Sequence, residues 1–234
     1  MRVQQAPATV VICRELPAHI AAAELASWVG SARRVSVPIT WVVDVDRAAS
    51  AVDLLAATDP AARMAVGIEE GLLASRQTLR RKLADVRRRL PDIDAVVVRG
   101  GPTVEHRDLL VGEGIRTLCV DRFDQVTRGS RRPAPRGWPC RSVLWGLWEV
   151  TSTPQPSAGV IGGILPWGGP RILAPGTLCV VHAADSGSHR LDRLLALVNK
   201  KRTRGTVQAA TLSDLPELLV AGGQSRGGSI LNAA

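Results

Sequence analysis

The chain has 234 residues, 45% of them hydrophobic and 22% charged, ordinary proportions for a globular protein. Its net charge of +9 favours anionic partners. However, no nucleic-acid-binding motif accompanies the charge, so a dedicated nucleic-acid role is not expected. No apolar stretch approaches the ~18 residues of a membrane span, and the opening "MRVQQAPATVV" lacks a signal-peptide core; a soluble, cytoplasmic protein without membrane partners is expected.

Short apolar runs alternate with longer amphipathic ones. "ATVVIC" (8–13) reads as a buried strand and "HIAAAELASWVGSA" (19–32) as a helix with apolar spacing near 3.6. "ITWVVDV" (39–45) is a second strand, and the helix "RAASAVDLLAAT" (47–58) ends at Asp59-Pro60. "RMAVGIE" (63–69) is a third strand. In "SRQTLRRKLADVRRRL" (75–90), Leu79, Leu83, Val86 and Leu90 form one apolar stripe, with Ser75 as N-cap and arginines on the solvated faces. "AVVVRGG" (95–101) is a fourth strand, "VEHRDLLVGEG" (104–114) a helix closed by Gly114, and "IRTLCVDRFD" (115–124) a fifth strand.

The middle changes character. "RGSRRPAPRGWPCR" (128–141) is too rich in breakers for regular structure. "LWGLWEVTSTP" (144–154) offers a sixth strand, and a Gly/Pro-rich connection follows it. Order returns with the strand at 177–182, the helix "SHRLDRLLALVNKKRTRG", "TVQAATL" and "SDLPELL". One domain over 1–222 is expected, with an irregular insertion at about 125–176 and a flexible tail at 223–234. The cysteines have no C-x-x-C spacing, so neither a zinc site nor a redox pair is expected.

Repeated alternation of strand and helix implies a parallel sheet with crossover helices. No G-x-G-x-x-G follows the first strand and no phosphate-loop motif occurs, so a (β/α) barrel of seven or eight parallel strands is favoured over an open dinucleotide-binding sheet. In such folds function gathers at the carboxyl ends of the strands. Those positions read Arg14 and Glu15, Asp44 and Asp46, Glu69 and Glu70, Arg99, Asp121 and Asp124, Glu149, and His182 with Asp185.

Three stretches in order carry a family resemblance: "VPITWVVDV", "AVVVRGGPTVEHRDLLVGEGIRTLCVD" and "GTLCVVHAADSGSHRLDRLLALVNKKRTRGTVQAATLSDLPELL". Together they resemble the polysaccharide deacetylase (NodB-homology) family over roughly residues 8–220. The resemblance implies a distorted β/α barrel and metal-assisted hydrolysis of an N-acetyl or similar amide. In that chemistry an Asp and two His hold the metal, a second Asp is the base, and a His is the acid. Carried over, His182 matches the acid histidine, and Arg99 the arginine that orients the base. Arg14 falls at the base position, and Glu15 at the metal-binding Asp. The family's H-x-x-x-H falls near "GIEEGLLASR", which has no histidine; Glu69 or Glu70 is the remaining candidate ligand there.

The resemblance therefore implies a deacetylase-like barrel with a degenerate metal site, reused for binding a carbohydrate or other small ligand. Asp44, Asp121 and Trp148 are the candidate substrate contacts, Trp148 as one of several indoles able to stack on sugar faces. No cofactor is expected, and a divalent metal on Glu15 and Glu69, with Asp44 as a third oxygen donor, is the one candidate. Two alternatives stand beside this reading. One is an active metal-dependent hydrolase of C–N bonds in carbohydrates, with atypical ligands. The other is a basic polyanion-binding protein that uses "RGSRRPAPR" and the arginines of helix 75–90.

Overall fold

The computed structural model describes residues 7–44, 49–69, 75–99, 106–121, 140–144, 146–152, 178–183 and 188–221. Along the chain come β1 (Ala8–Glu15), α1 (Ala22–Val35), β2 (Thr40–Val43), α2 (Ala49–Thr58), β3 (Arg63–Glu69), α3 (Arg76–Arg89), β4 (Ala95–Arg99) and α4 (Arg107–Gly112). These are followed by β5 (Thr117–Asp121), β6 (Cys140–Leu144), β7 (Leu147–Thr151), β8 (Leu178–Ala183), α5 (Ser188–Thr203), β9 (Val207–Ala210) and α6 (Leu215–Ala221).

The strands form one sheet in the order β6-β7-β5-β4-β3-β2-β1-β8, with β9 also pairing β1. Every pairing is parallel except β6 with β7. One edge of β1 carries β8 along Thr9–Arg14, while the other is shared by β9 beside Ala8–Val11 and β2 beside Cys13–Glu15. The result is a nearly closed (β/α) barrel with helices on its outside, as the sequence implied.

Strand alternation divides the core in two. Ile12, Val43, Ile68, Val98, Leu118 and Val181 face outward and pack with the helices. Val11, Val42, Ala65, Val97, Cys119 and Val180 face inward and fill the barrel. Because both strand faces are covered, the strands read as continuous apolar runs rather than alternating ones. The stripe of α3 behaves as expected: Leu79, Leu83 and Val86 are buried, and the helix starts behind Ser75, whose Oγ accepts from Thr78 N at 3.4 Å. Gly114 ends α4 with a φ of +71°, a conformation that suits glycine.

The amino-terminal end of the barrel is closed by the chain's own return. Leu212 N donates to Thr40 Oγ1, and Thr117 Oγ1 donates to Leu212 O, both at 3.0 Å. Ser213 Oγ donates to Asp94 Oδ1 at 2.6 Å. Leu212, Leu215 and Leu219 then join the interior cluster. The hydroxyls satisfy backbone groups that would otherwise be buried without partners.

Three expectations change. Helix α1 begins at Ala22 rather than at residue 19, and Ile20 packs on the core from the preceding turn. Cys140 and Arg141, read as part of an irregular loop, belong to β6, which pairs with β7 after the turn at Gly146. Glu149 sits inside β7 rather than at its carboxyl end. It faces the helices, where its Oε2 accepts from Arg107 Nε and Nη2 at 3.1 and 2.9 Å. Most of the expected insertion and the tail from 223 onward lie outside the described residues. Among the described residues, no helix is long and apolar enough to cross a membrane.

Candidate functional site at the barrel rim

The same alternation that fills the barrel decides which polar residues reach its mouth. Glu15, Arg99 and His182 share the inward parity of Val11, Val97 and Val180 on their strands, so each side chain rises into the carboxyl-terminal rim. Arg99 Nε donates to Glu15 Oε1 at 2.9 Å and Nη2 to Oε2 at 2.5 Å, a bidentate grip. Its Nη1 donates to Glu69 Oε1 at 2.9 Å. His182 Nε2 lies 3.0 Å from Glu15 Oε1. Four residues from four strands are thus joined through one guanidinium and one carboxylate.

A glycine makes this reach possible. Arg99 leaves β4 and reaches past β3 and β2 to meet β1, passing over Gly67 of β3. A β-carbon at that position would lie 2.5 Å from Arg99 Nη2 and 3.3 Å from Val42 Cγ1. Glycine inside a strand often marks such a close approach. The feature was missed in the sequence, although "RMAVGIE" displays it.

The members differ in their contact with water. The side chains of Glu15 and Arg99 are 20% and 23% exposed, whereas Glu69 is 56% exposed. Burial by itself would raise the Glu15 pKa, but the His182 contact and the Arg99 charge outweigh it and hold the carboxyl below its usual value. For Arg99, burial pulls the pKa down, and the Glu15 and Glu69 carboxylates more than reverse this. Glu15 is therefore an ionised group with its lone pairs engaged. The half-exposed Glu69 contact is the weaker arm, since exposed pairs contribute only ~0–1 kcal/mol.

Arg14 does not stand at the rim, contrary to the position expected for it. It has the opposite parity to Glu15, and its Nη1 donates to Ala183 O at 2.9 Å. Its guanidinium carbon lies 4.2 Å from the centre of the Trp28 ring, which stacks on Trp41 at 6.4 Å. Two adjacent residues of one strand cannot both face the interior, so only Glu15 can enter the cluster.

Trp148 is also elsewhere. It is in register with Thr117 at the start of β5 and packs against the interior cluster, which places it near the barrel floor. Asp44, just beyond β2, has Lys82 of α3 at 3.5 Å from its Oδ1. Asp121 ends β5 in register with Arg99. Asp46, Glu70, Asp124 and Asp185 lie outside the described residues, as do Trp138, Trp145 and Trp167. His106 precedes α4 with a φ of +58°.

The oxygen set considered for a metal does not fit one. Glu15 and Glu69 are paired with Arg99, and Asp44 with Lys82, so each carboxylate already faces a protein cation that would repel a divalent ion. Among the described residues, no group of three or more His, Cys, Asp or Glu side chains could hold a metal.

No family model matches the chain, and no curated protein matches it either. Among solved structures, it is similar to a Mycobacterium smegmatis protein assigned as a polysaccharide deacetylase. That match has a TM-score of 0.60 at 13% identity and covers 95% of this chain and 93% of the other. A mutant of the peptidoglycan deacetylase PdaC from Bacillus subtilis aligns over 97% of this chain and 98% of its own. Its identity is 12%, with a TM-score of 0.46. At such identities the likeness concerns the fold, and the fold of this chain is polysaccharide-deacetylase-like.

Proposed function

We propose that this protein is a deacetylase-like barrel that binds a carbohydrate or related polar ligand at its rim without metal-dependent deacetylation. The observation that carries the reading is the bridging of Glu15 and Glu69 by one guanidinium. Arg99 is the residue that the family resemblance makes the partner of the base carboxylate, and here it grips Glu15. Glu15 is thus proposed to stand in the base's place, with His182 beside it in the place of the acid. Among the described residues, the cluster offers no set of three donors for a metal. The remaining groups suit recognition: the open-sided Glu69 and the guanidinium edge of Arg99 can hydrogen-bond sugar hydroxyl or amide groups. Support for a carbohydrate comes from the fold neighbour, whose assignment is polysaccharide deacetylation. Trp28 and Trp41 are buried among the helices and Trp148 lies near the floor, so none of these three supplies a sugar platform at the rim.

The test is a metal analysis of the purified protein, calorimetric titration with N-acetylglucosamine oligomers, and an amine-release assay with and without chelator. Binding that chelator leaves unchanged, with no amine released, is the expected result. Stoichiometric metal with chelator-sensitive amine release, abolished in His182→Ala, would establish the hydrolase reading instead.

A further inference from the structure

Parallel strands rising to the rim force the intervening helices to run back down, so the carboxyl ends of α1 and α5 lie together beside the barrel floor. Arg202 Nη2 of α5 donates to Val35 O of α1 at 3.0 Å, tying the two ends. The last turn of α1 carries Arg33 and Arg34, and that of α5 carries Lys200, Lys201 and Arg202; Arg204 follows immediately. Of these six cations, Arg33 is paired with Asp59 at 2.7 Å. Arg34, Lys200 and Arg204 are exposed and Lys201 is half-buried, and none of the four makes an ion pair among the described residues. A helix dipole favours cations at a carboxyl end, but its influence falls off within the last turn. It gives no reason to place six of them on two adjoining ends with a single ion pair, Arg33 with Asp59, among the described residues.

We infer that this pole of the barrel docks an acidic polysaccharide, a single extended chain bearing carboxylates, through Arg34, Lys200, Lys201 and Arg204. The surface is two packed helix ends wide, roughly 10 Å between axes, which suits one narrow strand. The neighbouring Ser36 is exposed and offers a hydroxyl, and among the described residues there no exposed aromatic is present for stacking a nucleobase. Among the described residues, no large apolar side chain is exposed there to enter a membrane interface. The choice of a polysaccharide over other polyanions rests on the reading of the barrel proposed above. Contact at the floor would leave the rim, at the opposite end of the strands, free for its own ligand.

The experiment uses the full chain with fluorescent hyaluronan fragments as the polyuronate probe. Double-stranded DNA and anionic phospholipid vesicles serve as the other arms, each at 50 and 200 mM salt. Hyaluronan should bind at low salt and weaken by about tenfold or more at the higher salt, since such contacts are screened and release counterions. The variant Arg34→Gln/Lys200→Gln/Lys201→Gln/Arg204→Gln should lose at least about tenfold in affinity, while keeping the wild-type unfolding temperature and any binding of N-acetylglucosamine oligomers. Hyaluronan binding that ignores these substitutions, or is absent, overturns the proposal. So does DNA or vesicle binding tenfold tighter than hyaluronan, which would assign the surface to that partner. Failure of the oligosaccharide titration alone touches the rim reading and leaves the polyuronate result standing.

Discussion

The two ends of the barrel both put polar residues on the inward face of its strands, and do opposite things with them. At the floor, Thr40 and Thr117 are fully buried, and their hydroxyls are taken up by the backbone of Leu212. At the rim, Glu15, Arg99 and Glu69 satisfy one another while remaining between 20% and 56% exposed. The difference lies in what covers each end. A returning segment of backbone offers one donor and one acceptor per residue, which neutral hydroxyls match without burying charge. An open mouth keeps water within reach, so ionised groups can persist there if they pair. Polarity inside a barrel therefore does not by itself mark a site; the ability to carry charge beside solvent does.

The contrast breaks most visibly at the floor. Leu212→Ala removes a fully buried side chain from the interior cluster and should cost about 2–5 kcal/mol in urea unfolding. The His182 imidazole resonances should keep their wild-type positions below the transition. A shift of those resonances would show that the two ends are coupled rather than separate.

Gly67→Ala addresses the rim itself. The added methyl would meet Arg99 Nη2 at 2.5 Å, so either the guanidinium or the strand must move, at about 1–3 kcal/mol. In an Arg99→Ala background the same substitution should cost much less, because the group it displaces is gone. Equal costs in the two backgrounds would mean that Gly67 is needed for some reason other than the passage of Arg99.

The smallest effect is pH-dependent. The folded-state pKa of Glu15 lies below its ordinary value of 4.5. Its ionised form is thus favoured by folding, and that contribution is fully present above the unfolded value and is lost as pH falls through the folded one. The stability difference between wild type and Glu15→Gln should shrink as pH is lowered from 6 to below 4.5, followed by urea midpoints across that range. A difference that grows on acidification would have the wrong sign for a carboxylate held by Arg99.

Much of the architecture was legible because it is local. Most strands announced themselves as short apolar runs, α3 by the stripe Leu79, Leu83 and Val86, and the end of α4 by Gly114. The places where reading failed were set by pairing. Cys140 and Arg141 look like loop residues among prolines, and β6 exists because β7 lies across a turn from it. Trp148 looked like a platform at the mouth. Only its register opposite Thr117 places it at the other end. The family resemblance sets Arg14 at the base position beside Glu15, although period-two alternation already forbids both from facing inward.

By itself, then, the order of residues determined the sequence of strands and helices, the two-faced burial that makes a barrel of them, and the short set of charged positions at strand ends. Backbone hydrogen bonding and side-chain parity act over a few residues, so they are written along the chain. The tertiary structure alone decided that Arg99 takes Glu15, 84 residues away, by crossing a strand that offers no side chain at Gly67. It also decided that both carboxylates share that one cation. Such partnerships depend on which strands become neighbours and in what register, and those are properties of the closed sheet as a whole.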